Sequence, residues 1–478
     1  MSFESENYQS PLAGRYASVG MRRLFSPAMK FGTWRKLWLA LAEGEHELGL
    51  AVSEEQVEEL RANLEPINFE AAQAYEKELR HDVMSHVHAW GDQCPKARGI
   101  LHLGATSCYV TDNTDAIILR DGVRMLRAQL VSVIEQFKAF ALEYRCMPTL
   151  GFTHYQPAQA TTVGKRATLW MQDLLDDLAD LDHAESMIRF RGVKGTTGTQ
   201  ASFLELFEGD HDKVRELDKR VAQKMGFEKR FAVTGQTYPR QLDFRVGQAL
   251  SSIAQTAHKF ATDLRLLSNR KELEEPFESK QIGSSAMPWK RNPMRSERIC
   301  SLARLVISHL DNCAHTAANQ WLERTLDDSA NRRIVLAEMF LATDAILNLL
   351  LNVSSGLVVY PHVVNRNLMA ELPFLASEAL MMEAVKAGAD RQDVHEEVRQ
   401  ASFAAAKGIK EGRDNDLTER LKKSPLLAGV ASRIDEILDP ERYVGRAPQQ
   451  VLEFMEEEVD PVLEKYKHLL GATGEVRV

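Results

Sequence analysis

Cysteine is scarce in this chain. Five occur in 478 residues, at Cys94, Cys108, Cys146, Cys300 and Cys313. The number is odd and no Cys-x-x-Cys is present, so the thiols read as structural ones in a reducing compartment rather than a disulfide framework. No uninterrupted run of 18 apolar residues occurs, so no membrane span is expected. The opening Met1-Ser2-Phe3-Glu4-Ser5-Glu6 has no apolar leader segment, and a cytoplasmic location is the expectation. The net charge of −9 argues against a nucleic-acid surface, as does the lack of basic and aromatic interleaving. Gly-x-Ser-x-Gly and His-Glu-x-x-His are both missing, which leaves hydrolase and zinc-protease chemistry without support. No internal repeat and no low-complexity tract stands out.

What is present is helical periodicity. Apolar residues recur at spacings of three and four over about 112–144, 161–189 and 239–270, with further runs over 294–321 and 331–354. Runs of 25–30 residues predict helices of about 40 Å, the length of bundle helices. Their apolar faces exceed one stripe, so an oligomer that buries them on several sides is expected. Shorter helices are expected over 31–49, 53–62 and 68–110. The composition divides the chain into an N-terminal helical domain (1–110), a central long-helix domain (111–360) and a C-terminal helical domain (361–478).

Four polar segments interrupt the helices. Leu101-His102-Leu103-Gly104-Ala105-Thr106-Ser107 offers two hydroxyls, able to cap the next helix or to hold an anion. Gly151-Phe152-Thr153-His154-Tyr155-Gln156-Pro157-Ala158-Gln159 reads as a loop with His154 between breakers, a placement suited to a proton donor or acceptor. Arg189-Phe190-Arg191-Gly192-Val193-Lys194-Gly195-Thr196-Thr197-Gly198-Thr199 reads as an anion cradle, though it is neither a P-loop nor a dinucleotide fingerprint. The fourth is Gly283-Ser284-Ser285-Ala286-Met287-Pro288-Trp289-Lys290-Arg291-Asn292-Pro293. Its two prolines forbid regular helix, and a serine beside Lys290 can act as an alkoxide-like base, because a cation favours its negative form. Arg80-His81-Asp82 with Ser85 and His88, and the stretch from Glu323 to Arg333, complete the inventory. Arg324, Ser329 and Arg333 can face a phosphate. Carboxylates do not converge on the histidines, so no metal is expected. Cations, small hydroxyls and a loop histidine together suit an anionic substrate and an elimination that needs only a base, an acid and anion clamps.

The 283–293 segment matches the Gly-Ser-Ser-x-Met-Pro-x-Lys-x-Asn-Pro signature of the fumarase/aspartase superfamily. With segments 10–16, 80–84, 104–107, 153–157 and 324–329, the chain resembles the adenylosuccinate lyase family over nearly its whole length. The resemblance implies an all-α, fumarase/aspartase-like fold whose central helices form a twenty-helix core in a homotetramer, with each active site shared by three subunits. It implies a carbon–nitrogen lyase that acts on a small nucleotide substrate without cofactor or metal. Fumarate would be released from adenylosuccinate, giving AMP, and from the succinyl-aminoimidazole-carboxamide ribotide (SAICAR), giving the carboxamide ribotide (AICAR). Carried over, Ser284 is the base, His154 the acid, and Lys290 and Asn292 stabilise the carbanion. His81 assists, by binding phosphate or orienting the substrate. Arg15, Tyr16, Arg298, Arg324, Ser329 and Arg333 serve the phosphate end. Thr106, Ser107, Thr153 and Gln236 hold the succinyl portion and the ring, and Arg80 and Asp82 join the binding set. The signature loop is expected to be mobile without ligand.

Overall fold

A computed structural model describes residues 7–474; residues 1–6, on which the expectation of no leader rests, lie outside the described residues. The N-terminal part comprises α1 (Val19–Leu24), α2 (Pro27–Glu47), α3 (Glu54–Ala62), α4 (Phe69–Leu79) and α5 (Asp82–Gln93). Their starts follow local chemistry. Ser26 accepts the Met29 amide ahead of a proline in the first turn of α2, and Ser53 with Gln56 forms a capping box on α3.

Five long helices follow: α6 (Ser107–Glu143), α7 (Val163–Met187), α10 (Gln241–Asn269), α11 (Met294–Ala318) and α12 (Asp327–Ser354). Two shorter ones, α8 (Ala201–Leu206) and α9 (His211–Lys224), lie between α7 and α10. The long helices alternate in direction. Arg127 of α6 pairs with Asp182 of α7, Trp170 of α7 donates to Asp263 of α10, and His309 of α11 meets Glu338 of α12. Each pair joins residues at the same height on oppositely directed helices. By contrast Gln129 of α6 meets Asp344 of α12, and Asp243 of α10 meets Arg332 of α12, which makes α6, α10 and α12 parallel. One end of the bundle therefore carries the starts of α6, α10 and α12. The other carries their ends and the starts of α7 and α11.

The predicted long runs match these helices to within a few residues. Helix α12 is long and apolar enough to cross a membrane by composition, but 83% of its most apolar window is buried against its neighbours, as befits the centre of a bundle. The segment around His154, expected as a loop, is instead an antiparallel hairpin of β1 (Pro148–Thr153) and β2 (Gln156–Thr162), with Thr153 opposite Gln156. His154 and Tyr155 form its two-residue turn with φ of 53° and 56°, the left-handed pair that matches strand twist. A second small pairing joins β3 (Leu273–Glu274) to β4 (Val358–Val359).

Beyond the bundle, α13 (Pro361–Leu375), α14 (Ser377–Lys386), α15 (Arg391–Lys410), α16 (Leu417–Lys423) and α17 (Ile434–Ile437) build a separate core around Leu380, Val394, Leu417 and Ile434. The chain then returns through α18 (Ala447–Phe454) and α19 (Asp460–Lys465), whose Val451 and Leu463 join the main core.

Glu45 of α2 is fully buried and neither of its carboxylate oxygens finds a hydrogen-bond partner. Burial pushes its pKa up to about 9. The folded protein keeps a proton here that the unfolded chain gives up above the ordinary carboxylate range. Stability is thus full below that range and falls as pH rises toward 9. Glu45→Gln is expected to raise the melting temperature at pH 8 by roughly 3–5 °C. Near pH 4.5 it should change it little, and calorimetry at the two pH values checks the difference.

Candidate active site

At the end of the bundle where α6, α10 and α12 begin lies a cavity of about 740 Å³. Arg80 ends α4 in a left-handed conformation (φ 55°), and this sharp break turns Arg80, His81 and Asp82 into the cavity wall. His81 is the N-cap of α5, and its Nδ1 accepts the Met84 amide at 3.3 Å. With Nδ1 an acceptor, the neutral ring carries its proton on Nε2, which stands 3.4 Å from the Ser107 hydroxyl. Thr106 occupies the N-cap position of α6 but makes no capping bond; its hydroxyl receives the Gln236 amide at 3.4 Å. The capping role weighed for Thr106 is thus unused, and the amide-rich start of a 37-residue helix lies beside the cavity, where it favours an anion.

Arg324, Ser329 and Arg333 line the cavity as well. Arg333 pairs with Asp82 at 2.9 Å. Burial alone would raise the Asp82 pKa, but the Arg333 hydrogen bond and charge, helped by Lys30, outweigh it and hold the carboxyl below its usual range. The floor is a buried ionic lattice. Arg240 bonds Asp112 at 2.9 Å and Asp328 at 2.6 Å, and Arg324 also bonds Asp328, at 2.7 Å. Arg332 bonds Asp243 at 2.6 Å and Asp115 at 2.9 Å. Tyr238 ties both halves, its amide donating to Asp112 and its hydroxyl to Asp243.

Lys30 of α2 also lines the cavity and was not foreseen. Burial, with Arg333 nearby, lowers its pKa against the pull of Asp82, Asp115 and Glu76. A lysine near a helix start reads as solvated.

The cavity does not include the other half of the expected site. Ser284, Lys290 and Asn292 lie in the loop after α10, and Thr153 and His154 at the exposed tip of the hairpin after α6. Both are at the opposite end of the bundle. The 37 residues of α6 alone span about 55 Å between Ser107 and the end of the bundle from which the hairpin springs. Arg298, in the second turn of α11, sits over the Tyr16 ring at 5.4 Å, and Arg15 is exposed beside them, so this trio also belongs to the far end. Among the described residues no hydrogen bond or ion pair joins the hairpin tip to the 283–293 loop.

That loop has a defined internal geometry. Asn292 Nδ2 donates to the Gly283 carbonyl at 2.8 Å, closing the loop at its neck. A Cβ on Gly283 would stand 2.2 Å from the Lys290 carbonyl, so only glycine fits there. The Ser284 hydroxyl oxygen accepts the amides of Ala286 and Met287 at 3.3 and 3.1 Å. Lys290 is exposed, and Trp289 beside it is 80% exposed.

The expected anion cradle at 189–199 is not one as read. Arg191 is turned inward to the carbonyls of Gly192 and Gly195, and Lys194 is paired with buried Asp218 at 2.7 Å. None of its residues lines the 740 Å³ cavity. His86, His88 and His102 each have an aromatic partner. His102 accepts the Trp38 indole and His86 stacks on Phe31 at 3.8 Å; burial pushes both down to about 4, so they stay neutral. His88 stacks on Tyr75.

A family model described as lyase matches residues 41–308, and one described as the C-terminus of adenylosuccinate lyase matches residues 373–454. The chain is 54% identical over 470 residues to adenylosuccinate lyase of Saccharomyces cerevisiae, covering 98% of each chain. It is 53% identical over 468 residues to that of Schizosaccharomyces pombe, covering 97% of each. In fold it is similar to a fumarate lyase from Mesorhizobium sp. BNC1, with a TM-score of 0.78 at 21% identity over 94% of this chain and 100% of that one.

Arg240→Ala would leave Asp112 and Asp328 buried without their shared cation. A loss of about 3–5 kcal/mol is expected, read as a lower urea midpoint.

Proposed function

From the premise that the chain belongs to the adenylosuccinate lyase family, we propose that it removes fumarate from adenylosuccinate, leaving AMP, and from SAICAR, leaving AICAR. Ser284 takes the proton from the succinyl carbon next to a carboxylate. The electron pair moves into that carboxylate, and Lys290 and Asn292 stabilise the resulting aci-carboxylate. The carbon–nitrogen bond breaks, and His154 protonates the departing nitrogen. A serine hydroxyl is a weak base in water. The two amides aimed at Ser284 Oγ and the nearby Lys290 favour its anionic form, and closure of the loop over substrate excludes water.

His81 orients the substrate beside Ser107. Arg324, Ser329 and Arg333, with Arg15, Tyr16 and Arg298, take the phosphate end. Thr106, Ser107, Thr153 and Gln236 take the succinyl group and ring, with Arg80 and Asp82 shaping the wall. The reaction calls for no cofactor, since base, acid and anion clamps are all side chains.

The observation that carries the assembly is the separation of acid and base from the cavity by the length of α6. One protomer cannot close it. A neighbour's hairpin and another neighbour's loop must enter the cavity of the first, giving sites shared by three subunits. Four copies of five long helices give a twenty-helix core in a homotetramer. Exposed Leu322 and Leu326 at the cavity end, and Trp289 and Ile282 at the loop end, supply apolar surface for those contacts. The three-part division at 110 and 360 then has a functional sense, with Arg15, Tyr16, Arg80, His81, Asp82, Thr106 and Ser107 from the first part and the rest of the site from the second. Five free thiols, four of them buried, suit a cytoplasmic enzyme.

Ser284→Ala should cut turnover of adenylosuccinate by about 10²–10⁴-fold, followed by the ultraviolet change as AMP forms; an active variant would move the base to another residue. The dephosphorylated nucleoside should be a poor substrate. Ser284→Ala and His154→Ala are each expected to be inactive alone. Co-folded, they should regain activity, because random assortment makes about one site in four complete in a closed oligomer. No recovery on mixing would place both groups on one protomer.

A further inference from the structure

The 189–199 segment has an outer face that the reaction does not use. Residues 189–191 run beside 229–231 in an isolated parallel bridge between Phe190 and Arg230, with the Phe190 amide on the Lys229 carbonyl and the Phe231 amide on the Phe190 carbonyl. Extended backbone alternates its side chains. Phe190 therefore goes into the core, where it meets Phe227, and Arg189 is left outside over the Phe231 ring at 5.6 Å. Helix α9 adds Arg215 and Asp218, one turn apart on one face. The result is a second cavity, of about 620 Å³, lined by Arg189, Lys194, Arg215, Lys229 and Arg230.

Among the described residues two carboxylates line this cavity with the five cations, those of Asp218 and Glu228. The Asp218 carboxylate is already shared three ways. Its Oδ2 takes both Lys194 Nζ and Arg230 Nε at 2.7 Å, and its Oδ1 takes the Val193 amide at 2.7 Å. Arg215 has a solvated Asp212 at 3.9 Å, and among the described residues neither Arg189 nor Lys229 forms an ion pair. A concave site with an excess of arginine and lysine is matched by a ligand with several phosphate oxygens, because guanidinium forks bond such oxygens in pairs. The volume falls within the range of small-molecule sites.

We propose that this cavity binds a diphosphate group, free or at the end of a nucleotide, at a site separate from the catalytic one. The site is linked to catalysis by covalent proximity. Four residues separate Phe231 from Gln236, which touches Thr106, and the Phe231 ring lies parallel to that of Tyr238 in the cavity floor. Occupancy therefore acts on the KM for substrate rather than on the proton-transfer groups.

The test is equilibrium dialysis of inorganic pyrophosphate against the full-length protein carrying Arg333→Ala, which weakens phosphate binding in the catalytic cavity. One pyrophosphate per chain should remain, and adding Arg215→Glu with Lys229→Glu should weaken it by about tenfold or more. Lys229→Gln alone, at an exposed side chain, should move binding the same way and serves if the double variant does not fold. Tighter binding of ADP than of pyrophosphate would assign a nucleotide, and equal binding the diphosphate alone. In the otherwise native protein, Lys229→Gln should leave turnover without added anion unchanged. Absence of bound pyrophosphate in the Arg333→Ala protein, or binding indifferent to the charge changes, would overturn the proposal.

Discussion

The arginine–aspartate lattice beneath the 740 Å³ cavity is the constraint on which the rest depends. Asp112 and Asp115 come from α6, Arg240 and Asp243 from the start of α10, and Asp328 and Arg332 from the start of α12. Three helices that run in one direction are thereby fixed in height against one another at a single end. Burying such charges has a large desolvation cost, and only near-complete mutual pairing offsets it. Hydrophobic packing along the helices is tolerant of small axial slips, whereas paired guanidinium and carboxylate groups are not. The lattice sets the register, and the apolar core supplies the bulk of the stability.

From that register follows the distribution of the chemistry. Helices that alternate in direction put consecutive connections at opposite ends. The start of α6 and the turn before α12 meet at the lattice, while the hairpin and the serine loop fall at the other end. The same alternation that buries the long helices thus divides the candidate site residues into two separated sets.

Much of this was legible in the residues. Long helices with wide apolar faces carry a periodic signal over many turns, so their existence and approximate bounds could be read directly. The 283–293 loop was legible because two prolines and a glycine forbid the alternatives. The hairpin was not, because its turn lacks the Asn-Gly or Asp-Gly pair that announces such a turn; His154 and Tyr155 adopt left-handed backbone without it. The 189–199 cradle was misread for a different reason. Lys194 is engaged by Asp218, and Arg191 by backbone carbonyls reached through local folding. Composition reveals the cations but not the partners that fold onto them. Lys30 was missed because a residue's exposure is a tertiary property.

The lengths of the long helices carry one more consequence. Because the ionic lattice fixes register at one end, every added residue accumulates as displacement at the other, about 1.5 Å each. Lengthening α6 and α7 by a single turn would carry the hairpin some 5 Å beyond its present height, while α10 and α11 kept the serine loop where it is. The five helices act together as a gauge block. Any insertion tolerated in one should be mirrored in its neighbours, so the length of these helices is inherited as a set rather than one at a time.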